Sequence, residues 1–347
     1  LAEVAIMVLA AWGFYTQHVS ALLLALFLMG THSTFFGPVK YAVLPQYLKG
    51  GELIGGNGLI EMGTFVAILV GQIGGALLVE GGHHATVGVL VAVALLGWLA
   101  SAFMPVAPAT APQLQLSANV WRDTWQLMRS VRRYPEVGAA IMGISWFWLL
   151  GAVYTTQLPT FTRLHLGGNA EVYSVILALF SIGIAVGSVL CAKLSRGRLE
   201  LGLVLLGGAG MTVFGIDLYL AAHEPWTGEL LLLSQVLHSP RHWRPMADLF
   251  LLGLAGGFFT VPLYTWLQTA APEEFRSQAI AANNIVNGLY MVAAAAASAL
   301  ILALTDSLAL LFLLTALANV PALGRLCWRA PQVWQARWSW LAGLCGK

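Results

Sequence analysis

Charge is what this sequence has least of. Lys, Arg, Asp and Glu together make up 9% of its 347 residues, where a soluble domain carries about 25%. That shortage excludes a soluble globular protein. Cysteine is scarce as well: Cys191, Cys327 and Cys345 show no metal-ligand spacing and no disulfide framework. Catalytic signatures are missing. None of the eight histidines starts the His-x-x-x-x-Asp an acyltransferase needs, and Gly-x-Ser-x-Gly and Gly-x-x-x-x-Gly-Lys-Ser/Thr do not occur. Lipid acylation, serine hydrolysis and ATP-driven flipping are therefore excluded, and the chain reads as a non-enzyme with no cofactor. No signal peptide or targeting segment opens it. It begins Leu1-Ala2-Glu3-Val4, almost inside a helix, so the expectation is a fragment of a longer chain.

What is abundant is apolar. Hydrophobic residues make up 59%, the mean hydropathy is +0.78, and the runs are about 20 residues long, the length of spanning helices and not of barrel strands. Ten spans are expected, roughly 2–18, 22–47, 54–79, 85–104, 137–162, 171–194, 201–222, 246–270, 276–303 and 307–327. Between the fourth and fifth lies a proline-rich stretch and then a basic amphipathic helix, NVWRDTWQLMRSVRRYPEV, suited to a membrane surface and its lipid phosphates. The basic residues outside the spans fall almost entirely on one side. Lys49, Arg122, Arg129, Arg132, Arg133, Lys193, Arg196, Arg198, Arg276 and the C-terminal arginines oppose only Arg163, Arg241 and Arg244. By the positive-inside rule the linker and the C-terminus are expected in the cytosol, and the same rule accounts for the basic side without nucleic acid.

Residues 29–75 organise the rest. They read as two apolar helices folded back around a polar turn, Leu48-Lys49-Gly50-Gly51-Glu52, with Lys40 in the first and Asn57 and Glu61 in the second. Lys40 and Glu61 lie about ten residues either side of the turn, about 15 Å from it at 1.5 Å per residue. An antiparallel hairpin brings cation and anion to one depth in hydrocarbon, where ionisable groups mark function by default. A purely structural ion pair holding the two helices in register is the alternative.

An internal repeat supplies the architecture. Phe35-Phe36-x-x-x-x-Tyr41 recurs as Phe258-Phe259-x-x-x-x-Tyr264, and nearby Gly56-Asn57 matches Ala282-Asn283, which aligns Glu61 with Asn287. The second span thus corresponds to the eighth, giving a six-helix unit. Four spans precede the linker and six follow it. The expected domains are an incomplete N-terminal half at 1–104, the linker at 105–136, a six-helix half at 137–327 and a tail at 328–347.

This pattern resembles the major facilitator superfamily. The runs FFGPVKYAVLPQYL, GNGLIEMGT and PEEFRSQAIAANNIVNGLYMV are more specifically similar to the bacterial lysophospholipid transporter family. The resemblance implies an all-α membrane protein of two six-helix repeats, with ten helices present and the first two missing. It implies movement of lysophosphatidylethanolamine-type lipids from the outer to the inner leaflet of the bacterial inner membrane by alternating access. It also implies an acyl-ACP synthetase/acyltransferase as partner. Proton-coupled efflux of amphiphilic drugs and tethering of an acyltransferase remain the alternatives.

Such a substrate needs a cation for its phosphodiester, hydrogen-bond partners and an apolar wall. Lys40 supplies the cation. Glu61 holds Lys40 or meets an ethanolamine ammonium. Asn57, Asn283, Asn284 and Asn287 line the site or tie helices together in lipid. Tyr41 and Tyr264, at equivalent repeat positions, line the pathway or anchor at the interface. Gln157, beside Thr155 and Thr156, is a candidate for the outer cavity wall. Trp146, Phe147 and Trp148 read as packing or belt residues. The stretch 187–198 resembles the superfamily's gating loop, with Lys193, Arg196 and Arg198 as its cations but without its usual acidic residue.

Overall fold

The computed structural model describes residues 1–80, 82–105, 119–221 and 224–344; their regular structure is helical, joined by turns and irregular segments, and the one β pairing among them is an isolated bridge between Gly168 and Leu231. Cys345 and most of the proline-rich stretch lie outside the described residues. In chain order, α1 is Ala2–Thr16, α2 Val19–Ala42, α3 the single turn Leu44–Tyr47, α4 Leu53–Glu80 and α5 His83–Ala102. After the linker helix α6, Val120–Val131, come α7 Pro135–Leu164, α8 Ala170–Ser195 and α9 Gly202–Ala221. Short α10, Leu233–His238, leads into α11 Pro240–Ala270, α12 Glu273–Thr305 and α13 Leu308–Arg329, and the chain closes on α14 Pro331–Gln335 and α15 Ser339–Leu344.

Among the described residues nine helices are long and apolar enough to cross a membrane. The first expected span is the exception. At 15 residues α1 is about 22 Å long, short of a hydrocarbon core of about 30 Å, and it packs against α2 and α5. The expected start of α11 near residue 246 moves to Pro240, because proline at the first helical turn costs no hydrogen bond and its φ is preset for helix. Pro135 opens α7 in the same way. Side-chain caps fix other ends: Asn169 Oδ1 accepts from the Val172 amide at 3.1 Å, and Ser307 Oγ from that of Leu310 at 3.2 Å. Pro38, Pro159, Pro262 and Pro321 sit inside helices, where neighbouring helices shield the freed carbonyls.

The core lies around α11, which packs on α7, α8 and α9 and reaches across to α4. In lipid no hydrophobic force drives helix to helix, so close backbone approach does it. The α8–α11 contact shows this: a Cβ on Gly187 would collide with the Leu254 backbone, and one on Gly253 with that of Phe180. The helices before the linker meet those after it along α4–α8, α4–α11 and α2–α12. In the first of these seams Gly58 abuts Ser188, whose carbonyl oxygen would lie 2.9 Å from an added Cβ.

Helix α6 is amphipathic as expected. Asn119 caps it, its side chain accepting from the Arg122 amide at 3.0 Å, and Trp121 and Trp125 are exposed.

Candidate functional site

A cavity of about 530 Å³ opens between the two sets of helices, walled by α2, α4, α7, α11 and α12. Lys40, Tyr41, Tyr264, Asn283 and Asn287, all singled out from the sequence, line it together with Thr34, Thr64, Trp148 and Asn284. Its wall is mixed: apolar Ile68, Ile280 and Met291 alternate with amides and hydroxyls.

The hairpin arithmetic holds for depth and fails for pairing. Lys40 does not reach Glu61. Its Nζ donates to Thr64 Oγ1 at 2.9 Å and lies 4.9 Å from the Tyr41 ring centroid. Thr64 passes its own hydrogen to the Ile60 carbonyl at 2.7 Å, leaving its oxygen free to accept from the lysine. Glu61 is instead held by Tyr41, whose hydroxyl donates to Oε1 at 2.5 Å; the other carboxyl oxygen has no hydrogen-bond partner and no exposure among the described residues. The reason is azimuth. Adjacent helix residues point about 100° apart, so when Tyr41 faces α4, Lys40 turns along the cavity wall.

The repeat equivalence has a direct geometric expression. Tyr41 and Tyr264 stack face to face, ring centroids 4.0 Å apart and 3° from parallel. Trp148 Nε1 donates to the Tyr264 hydroxyl at 3.1 Å, so this residue, read from the sequence as a packing or belt residue, contributes a polar contact to the cavity. Asn287 Oδ1 accepts from Ser145 Oγ at 2.7 Å, tying α12 to α7, and Asn284 Nδ2 donates to the Thr34 carbonyl at 2.9 Å, tying α12 to α2. Asn283 is buried with its Oδ1 unpartnered.

Asn57 is not in the cavity wall. It lies fully buried beneath it, toward the Lys49–Gly51 turn, in a cluster the sequence did not reveal. Its Nδ2 donates to Thr265 Oγ1 at 3.0 Å and to Gln268 Oε1 at 2.6 Å. Gln268 Nε2 donates in return to Asn57 Oδ1 at 3.1 Å and to the Tyr41 carbonyl at 3.0 Å. Thr265 and Gln268 are spaced by three toward the C-terminal end of α11, and that spacing was the one available signal. At about 0.6 kcal/mol for a hydrogen bond between membrane helices, the four contacts sum to about 2 kcal/mol, enough to hold the ends together and small enough to break.

Lys193, Arg196 and Arg198, the cations expected at a gating loop, sit just beyond this cluster. Arg196 ends α8 in the left-handed conformation at φ 47°, and Gly197 follows at φ 74°, a position glycine occupies without strain. That turn touches the α3–α4 turn: an added Cβ on Gly197 would lie 2.8 Å from the Gly51 carbonyl oxygen. Lys49, Lys193, Arg196 and Arg198 therefore gather at one end of the bundle. Gln157 lies nine residues along α7 from Trp148, about 13 Å away, and does not line this cavity.

The molecule is similar to proteins of known kind. The lysophospholipid transporter LplT of Enterobacter sp. (strain 638) is 28% identical over 253 residues, covering 70% of this chain and 56% of that protein. LplT of Yersinia enterocolitica is 27% identical over 250 residues, covering 70% and 55%. The chain thus matches about half the length of these curated relatives. Two solved structures share the fold at low identity. A variant of the E. coli fucose:proton symporter FucP has a TM-score of 0.67 at 11% identity, covering 95% of this chain and 82% of its own. A bacterial homologue of the iron transporter ferroportin, in an outward-facing state, has a TM-score of 0.60 at 12% identity, covering 94% and 80%. A family model described as Major Facilitator Superfamily matches residues 2–295. On that match and on this bundle of apolar helices, the chain is a multi-pass membrane protein that belongs to the Major Facilitator Superfamily.

Proposed function

We propose that this chain carries lysophospholipids of the lysophosphatidylethanolamine type from the outer to the inner leaflet of a bacterial inner membrane, by alternating access. The observation that supports it most is Lys40: a half-buried cation whose hydrogen-bond partner is a neutral threonine, on the wall of a cavity that also offers amides and apolar surface. A lysine there is free to exchange Thr64 for a phosphodiester oxygen. The apolar part of the wall suits a single acyl chain, and Asn283, Asn284 and Asn287 suit the hydroxyl and ammonium of the head, while Glu61 lies buried behind Tyr41. The similarity to LplT proteins points to the same substrate class.

In this reading the linker and C-terminus face the cytosol, the two halves are 1–104 and 137–327, and the Asn57–Gln268 cluster with the Gly51–Gly197 contact is the closed cytosolic gate, flanked by Lys193, Arg196 and Arg198. The delivered lipid meets an acyl-ACP synthetase/acyltransferase that restores its second chain. Uptake of labelled lysophosphatidylethanolamine into spheroplasts tests the proposal, using the full-length protein and its Lys40→Ala variant. The expected result is uptake that disappears with the lysine. Drug resistance without lipid uptake would place the protein among efflux pumps, and neither activity would leave a tether.

A further inference from the structure

We propose that a lateral cleft between α12 and α13 holds one anionic phospholipid of the surrounding bilayer as a resident ligand. The cleft runs over α7 and consists of two hollows of about 570 and 500 Å³ that share Met142. The first is walled by Trp146, Tyr290, Pro321 and Ala322, and the second by Met128, Val286 and Trp328. From Ala318 to Arg329 the α13 side of the cleft spans twelve residues, about 16 Å from end to end. That is half of a hydrocarbon core of about 30 Å, the acyl layer of one leaflet.

Charge sits at one end only. Arg325 and Arg329, one turn apart on α13, and Arg132 at the end of α6 rim the cleft there. Arg329 touches Met142 Sδ at 3.7 Å, while Arg132 and Arg325 have no hydrogen-bond or ion-pair partner among the described residues. The nearby carboxylate is engaged elsewhere, Glu136 Oε1 accepting from Gln332 Nε2 at 3.0 Å. Exposed Trp328 lies at the same end, and indoles favour the depth of lipid headgroups. An apolar trough one leaflet deep, ending in unpaired guanidiniums at headgroup level, has the chemistry of a diacyl lipid with an anionic head. The cleft shares no lining residue with the cavity around Lys40, so the inference stands apart from the transport reading.

The test is native mass spectrometry of the whole protein, released from nanodiscs of equal phosphatidylglycerol and phosphatidylcholine. A basic side chain beside anionic lipid is worth roughly fivefold in binding. The expected result is selective retention of phosphatidylglycerol. The double variant Arg132→Gln/Arg329→Gln should reduce that preference roughly 25-fold with an unchanged helical circular dichroism spectrum. Ala322→Trp, which fills the trough and spares the arginines, should lower retention of both diacyl lipids. Equal retention of the two lipids by the unmodified protein would overturn the proposal. So would a preference that survives loss of the arginines, or retention indifferent to Ala322→Trp. Replacement of phosphatidylglycerol by added lysophosphatidylethanolamine would also overturn it, assigning the cleft to the transport path.

Discussion

Tyr41→Phe is the substitution that weighs most directly what Glu61 is doing. It removes one oxygen and leaves the ring, so the stack on Tyr264 survives while the 2.5 Å hydrogen bond to Glu61 is lost. A hydrogen bond to a charged group contributes about 1.5–3 kcal/mol. Glu61 is fully buried and its second oxygen already lacks a partner, so no solvent replaces what the tyrosine gave. The expected loss is about 2–3 kcal/mol, toward the upper end of that range. Glu61→Gln keeps an acceptor for the tyrosine and removes the charge, and should cost less. In the double-mutant cycle of these two changes the coupling should be about 1–2 kcal/mol, since part of the Tyr41 effect depends on the carboxylate's charge. The assay is reversible unfolding in mixed micelles, followed by helical circular dichroism at a series of denaturing-detergent fractions. A Tyr41→Phe protein within about 0.5 kcal/mol of the parent would refute the reasoning, because it would mean that Glu61 finds another partner or carries no charge to satisfy.

Three other outcomes are expected. Cys191 is buried in one cluster with Ile54, a residue of α4, so in a background with Cys327 and Cys345 changed to Ser, Gln268→Ala should raise its maleimide labelling rate by roughly twentyfold, as three contacts at about 0.6 kcal/mol each are lost; an unchanged rate would mean that the cluster does not hold the halves together. Gly58→Val should destabilise by about 1–3 kcal/mol through overpacking against Ser188, whereas Gly55→Ala, with nothing within 4 Å of its Cβ, should unfold in mixed micelles like the parent. In the spheroplast assay Lys40→Arg should keep part of the uptake that Lys40→Ala loses, because the charge persists in a different shape; equal loss would show that shape, not charge, decides.

How much of this was legible in the sequence depends on which geometry a residue pattern encodes. Span positions follow from apolar run length, because a membrane sets one thickness for every helix, and the central helices lie where the runs lie. The repeat carried more than topology. Two motifs 223 residues apart predicted equivalent tyrosines, and a pseudo-twofold arrangement places equivalent residues against one another at its axis, where Tyr41 and Tyr264 stack. Depth along a hairpin is arithmetic in the same sense, and Lys40 and Glu61 do lie near one level. Azimuth is not, because it is set by which neighbour each helix face meets, and α11 was invisible to an argument confined to residues 29–75. The α11 tyrosine stacks on Tyr41 and so fixes the ring that reaches Glu61, while Gln268 takes the Tyr41 carbonyl and both ends of the Asn57 amide. The polar pair expected on one hairpin is thus a network whose third member comes from the other half of the chain. The same network is the physical link between the cavity and the Asn57–Gln268 cluster beneath it, the proposed gate. Tyr41 contributes its ring to the cavity floor and its carbonyl to the Asn57–Gln268 cluster, so a ligand that shifts Tyr41 acts on both at once. A contact set worth about 2 kcal/mol is within what a ligand of the proposed kind, bound by its phosphate and acyl chain, can offset.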